Sequence, residues 1–189
     1  GGDARHFYQS HASEFSSLAP GKTTVRFVTN HDQHAWDGTP QQLFGGGKQV
    51  LAAYAIAASL GGAPLIYNGQ EKAVPYQLPF FTPTSVAINW NLNPQTTRAY
   101  KKLMNAYERF DALRGSARTD HSTYQVAAYS SLGSDHAGFV AVNVRATAMS
   151  VPLPSAWQNR TVFDALAQDS LALSTSLSLD AYEYRWLVK

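Results

Sequence analysis

Two short apolar segments of this sequence end in side chains that can transfer protons or bind hydroxyl groups. The first segment spans residues 25–29 and ends in Asn30, His31 and Asp32. The second spans residues 62–67 and ends in a polar run that finishes with Glu71. A carboxylate can attack, donate or accept a proton, or stabilise positive charge, so Asp32 and Glu71 are a candidate pair of nucleophile and acid.

The elements that carry these residues have the order strand, helix, strand. Residues 23–29 and 64–67 are rich in β-branched and apolar side chains, which predicts two strands, the first of them short and buried. The Ala-rich residues 48–60 between them predict a helix, which Gly61 and Gly62 end. A right-handed crossover makes such strands parallel and places both carboxyl ends on one face, where α/β folds carry their functional groups.

Three further segments surround this unit. Apolar side chains at three- and four-residue spacing predict amphipathic helices over residues 3–18 and 96–114, the second ending at Gly115. Residues 33–40 have turn chemistry and predict a loop on the same rim as His31 and Asp32. Residues 72–90 are rich in proline and aromatic side chains, and we expect a long ordered loop that covers the rim.

Beyond residue 116 the hydrophobic period changes from that of a helix to that of a strand. Residues 124–129, 139–144, 149–153 and 181–187 predict strands separated by Gly, Ser, Asp and Pro. Several short strands in succession indicate an antiparallel sandwich. We therefore predict two domains, residues 1–116 and residues 117–189.

Composition excludes several classes of protein. The 189 residues are 44% hydrophobic and 15% charged, which is typical of a folded chain. A net charge of +2 without a basic run argues against nucleic acid and membrane surfaces as partners. The absence of cysteine excludes disulfides and thiolate metal sites. The longest apolar stretch, residues 50–60, is too short to span a bilayer.

The segment FVTNHD, followed after a helix by GGAPLIYNGQE, resembles the last two barrel strands of the α-amylase family of glycoside hydrolases. The resemblance implies the end of a (β/α)₈ TIM barrel, followed by a small antiparallel β-sandwich domain. It covers nearly the whole sequence but only the end of a family member. A complete enzyme carries its nucleophilic Asp in an earlier GxRxD-like segment and its acid Glu on the next strand, and neither segment occurs here.

The resemblance also implies roles for individual residues. Asp32 would bind hydroxyls of the sugar being cleaved and help to distort the ring, and His31 would donate to those hydroxyls. Asn30 and Gln33 are candidate sugar-contacting or supporting groups, and Trp36 is a candidate stacking surface. The alternative for His31 and Asp32 is that they only close the strand end with local hydrogen bonds.

Other interpretations of the same residues are weaker. The resemblance gives Glu71 an architectural role, as a capped or salt-bridged rim residue, instead of a catalytic one. His31, Asp32 and His34 form a generic ligand set, but the family places no metal there, so we expect no metal or cofactor in this chain. Any calcium would lie in parts of the whole protein outside this sequence.

The aromatic residues of the covering loop have two possible roles. Tyr76, Phe80, Phe81 and Trp90 can form sugar platforms, but we expect them to pack in the interior. An Arg commonly follows NHD within a few residues in the family, whereas this sequence continues Gln33-His34-Ala35-Trp36. The balance between hydrolysis and sugar transfer is therefore open.

The predicted function is that of part of a retaining glycoside hydrolase acting on α-glucosidic bonds in starch or maltodextrins, lacking the nucleophile and the acid. The alternatives are a non-catalytic carbohydrate-binding relative or inactive fragment, and a transglycosylase or isomerase on the same scaffold. Two barrel strands alone expose apolar surface, so we expect association with the missing barrel half or with a second copy. We expect the whole protein to be secreted or periplasmic instead of cytoplasmic.

Overall fold

The computed structural model of the protein describes residues 2–81, 86–114 and 117–189. Three predictions fall on residues outside this description. They are the helix end at Gly115, the end of the first domain at Ser116, and Pro83 in the covering loop. No helix in the described part of the chain is long and apolar enough to cross a membrane.

The three predicted helices are present. The described α-helices are α1 (Arg5–Ser16), α2 (Pro40–Phe44), α3 (Gly47–Ser59) and α4 (Pro94–Arg109). Helix α4 is shorter than predicted, because the backbone becomes extended at Phe110 before a 3₁₀ turn at Asp111–Leu113. Helix α2 was not predicted. It begins at a capping box in which the Gln42 amide donates to the Thr39 hydroxyl and the Thr39 amide donates to the Gln42 side chain.

Strands β1 (Val25–Arg26) and β2 (Ala63–Pro64) pair in parallel, as predicted, although both are shorter than predicted. The Ala63 amide donates to the Thr24 carbonyl at 2.8 Å. Gly62 permits this approach, because its φ is +101° and a Cβ there would lie 2.7 Å from the Thr24 oxygen. The carboxyl ends of both strands therefore lie at the same end of the pair.

The prediction that the first strand is buried is wrong for two of its side chains. Val25 is 56% exposed and Phe27 is 39% exposed, and Leu65 beside the second strand is 36% exposed. Val28 and Ile66 instead pack against the helical core. Side chains alternate across a strand, and in the described part of the chain helices cover one face of this pair only.

The second half of the chain forms two antiparallel sheets. Its strands are β3 (Thr119–Asp120), β4 (Val126–Leu132), β5 (Ala137–Asn143), β6 (Met149–Pro152), β7 (Arg160–Asp164), β8 (Asp169–Leu173), β9 (Ser176–Leu179) and β10 (Tyr184–Val188). The larger sheet has the order β3-β4-β5-β10-β7-β8, and β6 pairs with β9. Strands β4, β5, β6 and β10 match the four predicted strands with shifted ends, and the other four were not predicted.

The larger sheet has a hydrophobic core on each face. Val126 and Ala128 of β4 pack with Val151 and Leu177 of the smaller sheet, so the two sheets share this core. Tyr129 of the same strand faces the opposite side, and there it joins a core that includes side chains of α3 and α4. The six-stranded sheet therefore forms a layer between the helices and the smaller sheet.

Buried polar contacts cross the boundary predicted between the two domains. The Arg118 guanidinium donates to the carbonyl of Ser59 at 2.8 Å and to that of Leu113 at 3.1 Å. The hydroxyls of Ser59 and Tyr129 are 2.7 Å apart. Burial raises the pKa of Tyr129 to about 12. The end of α3 is thus tied to the six-stranded sheet.

Candidate functional site

A buried hydrogen-bond chain joins the segments that follow β1 and β2. The Thr29 hydroxyl donates to Gln70 Oε1 at 3.3 Å, and Gln70 Nε2 donates to the Tyr100 hydroxyl of α4 at 2.9 Å. Thr29 and Gln70 are 0% and 1% exposed, and burial raises the pKa of Tyr100. These hydrogen bonds fix the point at which the residues after Thr29 leave the protein interior.

Asn30 begins a helical turn where a loop was predicted. Its side-chain oxygen accepts from the amides of Asp32 at 2.9 Å and Gln33 at 3.3 Å, while Gln33 Oε1 accepts from the Asn30 amide at 3.0 Å. The turn continues as a π-helical segment, Gln33–Asp37. A hydrogen bond from the Gly38 amide to the Gln33 carbonyl closes this segment. The carbonyl oxygens of both side chains are therefore used within the turn.

His31 and Asp32 lie on the outside of this turn. Their side chains are 56% and 64% exposed, and His31 Nε2 lies 3.8 Å from Asp32 Oδ2. At this exposure the pair contributes little to stability. The carboxylate can accept two hydroxyl hydrogen bonds and the imidazole can donate one, which is the chemistry of binding a polyol.

Trp36 lies on the same side, and aromatic side chains of the later loop lie against it. Trp36 is 67% exposed. Phe80 contacts His31 edge to face, with ring centroids 5.1 Å apart, and lies 6.3 Å from Trp36. The expectation that the loop aromatics are interior is wrong for Phe81 and Trp90, which are 96% and 53% exposed, since no described element lies over them. Tyr76 and Phe80 are half-buried.

His34 belongs to the same turn but is fully buried. Its Nδ1 accepts from the Leu78 amide at 3.1 Å, and its Nε2 has no hydrogen-bond partner among the described residues. Burial lowers the pKa of His34, which favours the neutral imidazole that this bond requires. His34 therefore faces away from His31 and Asp32. Within residues 2–81, 86–114 and 117–189, no cluster of three His, Asp or Glu side chains is placed to hold a metal ion.

Glu71 lies in a 3₁₀ turn, Gln70–Lys72, directly after the buried Gln70. Its backbone carbonyl accepts from the Thr97 hydroxyl of α4 at 3.0 Å. Among the described residues its carboxylate forms no ion pair, so the salt-bridged arrangement considered from the sequence is not seen. Nothing in this geometry brings Glu71 into contact with Asp32.

Sequence reasoning missed the supporting residues Thr29, Gln70, Tyr100 and His34. Thr29 and Gln70 lie near the ends of the two matching segments, but Thr29 is the last residue of its predicted strand and Gln70 lies within the polar run after the other, so their pairing was not visible. The roles of Tyr100 and His34 depend on partners distant in the sequence. No local pattern reports such contacts.

Comparison with known proteins places this fold among the α-amylases. No family model matches the sequence, and no curated protein matches it. Among solved structures, a noncanonic maltogenic α-amylase, AmyB, from Thermotoga neapolitana is 18% identical with a TM-score of 0.77, and the match covers 98% of this chain and 46% of that one. An α-amylase from Geobacillus thermoleovorans, complexed with acarbose, is 17% identical with a TM-score of 0.78, covering 98% and 43%.

A third structure carries a different activity in its name. The cyclomaltodextrin glucanotransferase CldA is 16% identical with a TM-score of 0.77, and the match covers all of this chain and 41% of that one. The chain thus spans less than half the length of the structures it matches. It has the fold of part of an α-amylase-like structure, consistent with the C-terminal portion that the sequence predicts.

Proposed function

We propose that this chain is the C-terminal part of a retaining glycoside hydrolase that acts on α-glucosidic bonds in starch or maltodextrins. The observation that carries the proposal is the exposed pair His31 and Asp32. It stands where two parallel strands end, above the buried bond between Thr29 and Gln70, in a fold shared with α-amylases. The nucleophile and the acid come from strands that this sequence does not contain.

Each residue of the site has a distinct role in this proposal. Asp32 accepts hydrogen bonds from hydroxyls of the sugar being cleaved and stabilises the positive charge that develops on its ring. His31 donates to the same sugar. Asn30 and Gln33 hold the turn and leave their amide groups near the sugar, and Trp36 offers it an apolar surface.

The proposal includes the architecture and the partner. Residues 1–116 form the end of a (β/α)₈ barrel, and residues 117–189 form the β-sandwich domain after it. The partner is the set of missing barrel strands, which would cover Val25, Phe27 and Leu65, the apolar side chains left exposed beside β1 and β2.

Binding to maltooligosaccharides tests the proposal on the chain itself. We expect calorimetry to detect binding, and Asp32→Asn to weaken it about 10-fold or more, because hydrogen bonds to a charged group are worth about 1.5–3 kcal/mol. Asp37→Asn is the matched control, since it removes another exposed carboxylate from the same turn. Absence of binding, or equal binding by the Asp32 and Asp37 variants, would contradict the proposal.

Native mass separates the hydrolase from its alternatives. Co-migration with a second polypeptide would support the missing-strand partner, and Asp32→Asn should then abolish maltodextrin cleavage. A species built only from copies of this 20.6 kDa chain that still binds maltodextrins would instead identify a non-catalytic carbohydrate-binding protein.

Sugar transfer is the second candidate reaction. One support is the turn after Asp32, because the sequence from Gln33 to Trp36 lacks the Arg that commonly follows NHD in the family. The other is the similarity of the fold to that of a glucanotransferase. Product analysis with a labelled acceptor sugar distinguishes the reactions, because transfer yields labelled oligosaccharides and hydrolysis yields none.

A further inference from the structure

Residues 77–81 of the later loop are attached to the helical turn that carries Trp36. The Leu78 amide donates to His34 Nδ1 at 3.1 Å, and Gln77 Nε2 donates to the Ala35 carbonyl at 3.2 Å. These bonds join segments that are more than 40 residues apart in the sequence. The position of the loop beside the site is therefore set by specific contacts and not by chance proximity.

The attached segment places aromatic rings beside the exposed polar pair. Phe80 lies between His31 and Trp36, and Phe81 follows it with ring centroids 5.4 Å apart and planes inclined by 30°. Trp36 is 67% exposed and Phe81 is 96% exposed. We call Trp36, Phe80 and Phe81 the aromatic platform.

Phe81 is held in an unfavourable conformation as well as an unfavourable environment. Its φ is +52°, in the left-handed region that a bulky side chain rarely adopts. Exposing a whole phenyl ring to water forfeits its burial energy, and backbone strain of this kind clusters at ligand-binding sites. Both costs are explained if a ligand covers the ring.

Charge limits the chemistry of that ligand. Residues 27–47 contain no Lys or Arg, and residues 73–97 contain no charged residue at all. Nucleotides and other phosphate esters are therefore poor candidates, because their recognition depends on cations. A neutral ligand with apolar faces and a rim of hydroxyls fits flat rings placed next to a carboxylate and an imidazole.

We propose that the aromatic platform binds a glucosyl unit next to the one held by His31 and Asp32, and that His34 is the residue that positions it. This inference rests on the proposed function and extends it, since it assigns a second binding position and the residues that make it. Phe80 touches His31, so a ring stacked on the platform would be a near neighbour of the sugar at Asp32 along the same chain of glucose units.

The affinity of maltooligosaccharides of increasing length tests the platform. Maltose has two glucosyl units and would reach both positions, whereas glucose would occupy only one. We therefore expect Phe81→Ala to weaken binding of maltose and of longer oligosaccharides about 2- to 12-fold, equivalent to about 0.5–1.5 kcal/mol, while leaving glucose binding unchanged. Leu132→Ala is the matched control, because Leu132 is 82% exposed and lies on the six-stranded sheet. Asp32→Asn should weaken binding at every length.

The role of His34 has a separate readout. An Asn side-chain oxygen can replace Nδ1 as acceptor for the Leu78 amide, whereas Ala cannot. We expect His34→Ala to reduce the ratio of maltooligosaccharide affinity to glucose affinity as Phe81→Ala does, and His34→Asn to restore it. A purely structural role would lower the melting temperature without changing this ratio, and that result would overturn the assignment of His34.

The outcomes distinguish this inference from the proposed function. If binding depends on Asp32 but is indifferent to Phe81 at every length, the platform is wrong and the proposed function stands. If the unmodified chain binds no maltooligosaccharide, both are wrong. Loss of maltooligosaccharide affinity in the Phe81 variant, with the Leu132 variant unaffected, supports the platform.

Discussion

The parallel pair β1 and β2 and the six-stranded antiparallel sheet of this chain differ in how completely they are covered. Each strand of the parallel pair has two residues, and Val25 of β1 is 56% exposed. Strands β4 and β5 have seven residues each, and four consecutive side chains of β4, from Val126 to Tyr129, are no more than 1% exposed.

The difference follows from where each sheet finds its neighbours. Antiparallel strands pair across short connections, so the second half of the chain supplies the partners and one covering layer of its own sheet, and the helices supply the other layer. Parallel strands in α/β folds are buried on both faces by elements distant in sequence, and here only one face is covered. Both faces of the antiparallel sheet are covered within this chain, whereas the parallel pair keeps one face uncovered in the described part of the chain.

The largest change in stability is expected when one large side chain is removed from each region in turn. Trp186 of β10 is fully buried in the core shared by the helices and the sheet, so Trp186→Ala should lower the free energy of unfolding by about 3–5 kcal/mol. Phe27→Ala should lower it by less than about 1 kcal/mol, because Phe27 is 39% exposed. Urea denaturation measures both, and a large loss in the Phe27 variant would mean that this face is covered in solution.

A smaller effect is expected at the junction between the two regions. Arg118→Met would leave the carbonyls of Ser59 and Leu113 without their buried donor, at a cost of about 1–3 kcal/mol. Arg118→Lys is the control for charge, and it should recover only part of the loss because one ammonium cannot reproduce the two-sided guanidinium contacts. Full recovery by Lys in thermal unfolding would show that the charge, and not the geometry, matters.

The smallest effect is a pH dependence confined to the site. Burial lowers the pKa of His34 below its ordinary value of 6.5, so the folded state holds this proton less readily than the unfolded state does. The hydrogen bond from the Leu78 amide to His34 should be fully formed above pH 6.5. Below that pH its equilibrium constant should fall by up to about tenfold per pH unit, until the pH reaches the pKa of His34 in the folded state.

Hydrogen exchange at the Leu78 amide, corrected for intrinsic rates, measures this change. Burial also lowers the pKa of His121, whose Nε2 lies 2.9 Å from the Ser130 hydroxyl in the sheet, so that region gives a second acid-sensitive signal. His34→Asn should abolish the dependence at Leu78 and keep it near His121. If exchange at the Leu78 amide still depends on pH in this variant, His34 is not the source of that dependence.

Much of the fold was predictable because the relevant patterns are local. The three- and four-residue spacing identified α1 and α4, the Ala-rich composition identified α3, and alternation identified β4, β5, β6 and β10. Strand β9 alternates Ser and Leu, and both leucines are buried, but four residues are too few for the pattern to be distinguished from a loop. Strands β7 and β8 contain Asp at their junction, which the sequence presents as turn chemistry.

The candidate site was predictable where its residues follow a strand directly. His31 and Asp32 were found from their place after an apolar segment, without knowledge of any partner. The helical turn after them was missed because it depends on the Asn30 cap, and the exposure of Phe81 was missed because composition cannot report which aromatic rings are covered.

The buried hydroxyl of Tyr129 gives the molecule an internal optical reporter. Tyrosinate absorbs ultraviolet light at longer wavelengths than the protonated phenol, and a pKa of about 12 keeps Tyr129 protonated under alkaline conditions in which ordinary tyrosines ionise. Its bond partner Ser59 ends α3, so the phenol retains this environment only while the helix stays docked on the sheet. The alkaline absorbance of the protein therefore includes a signal for separation of the helices from the six-stranded sheet, beside those of Tyr54, Tyr100 and Tyr184, whose pKa burial also raises.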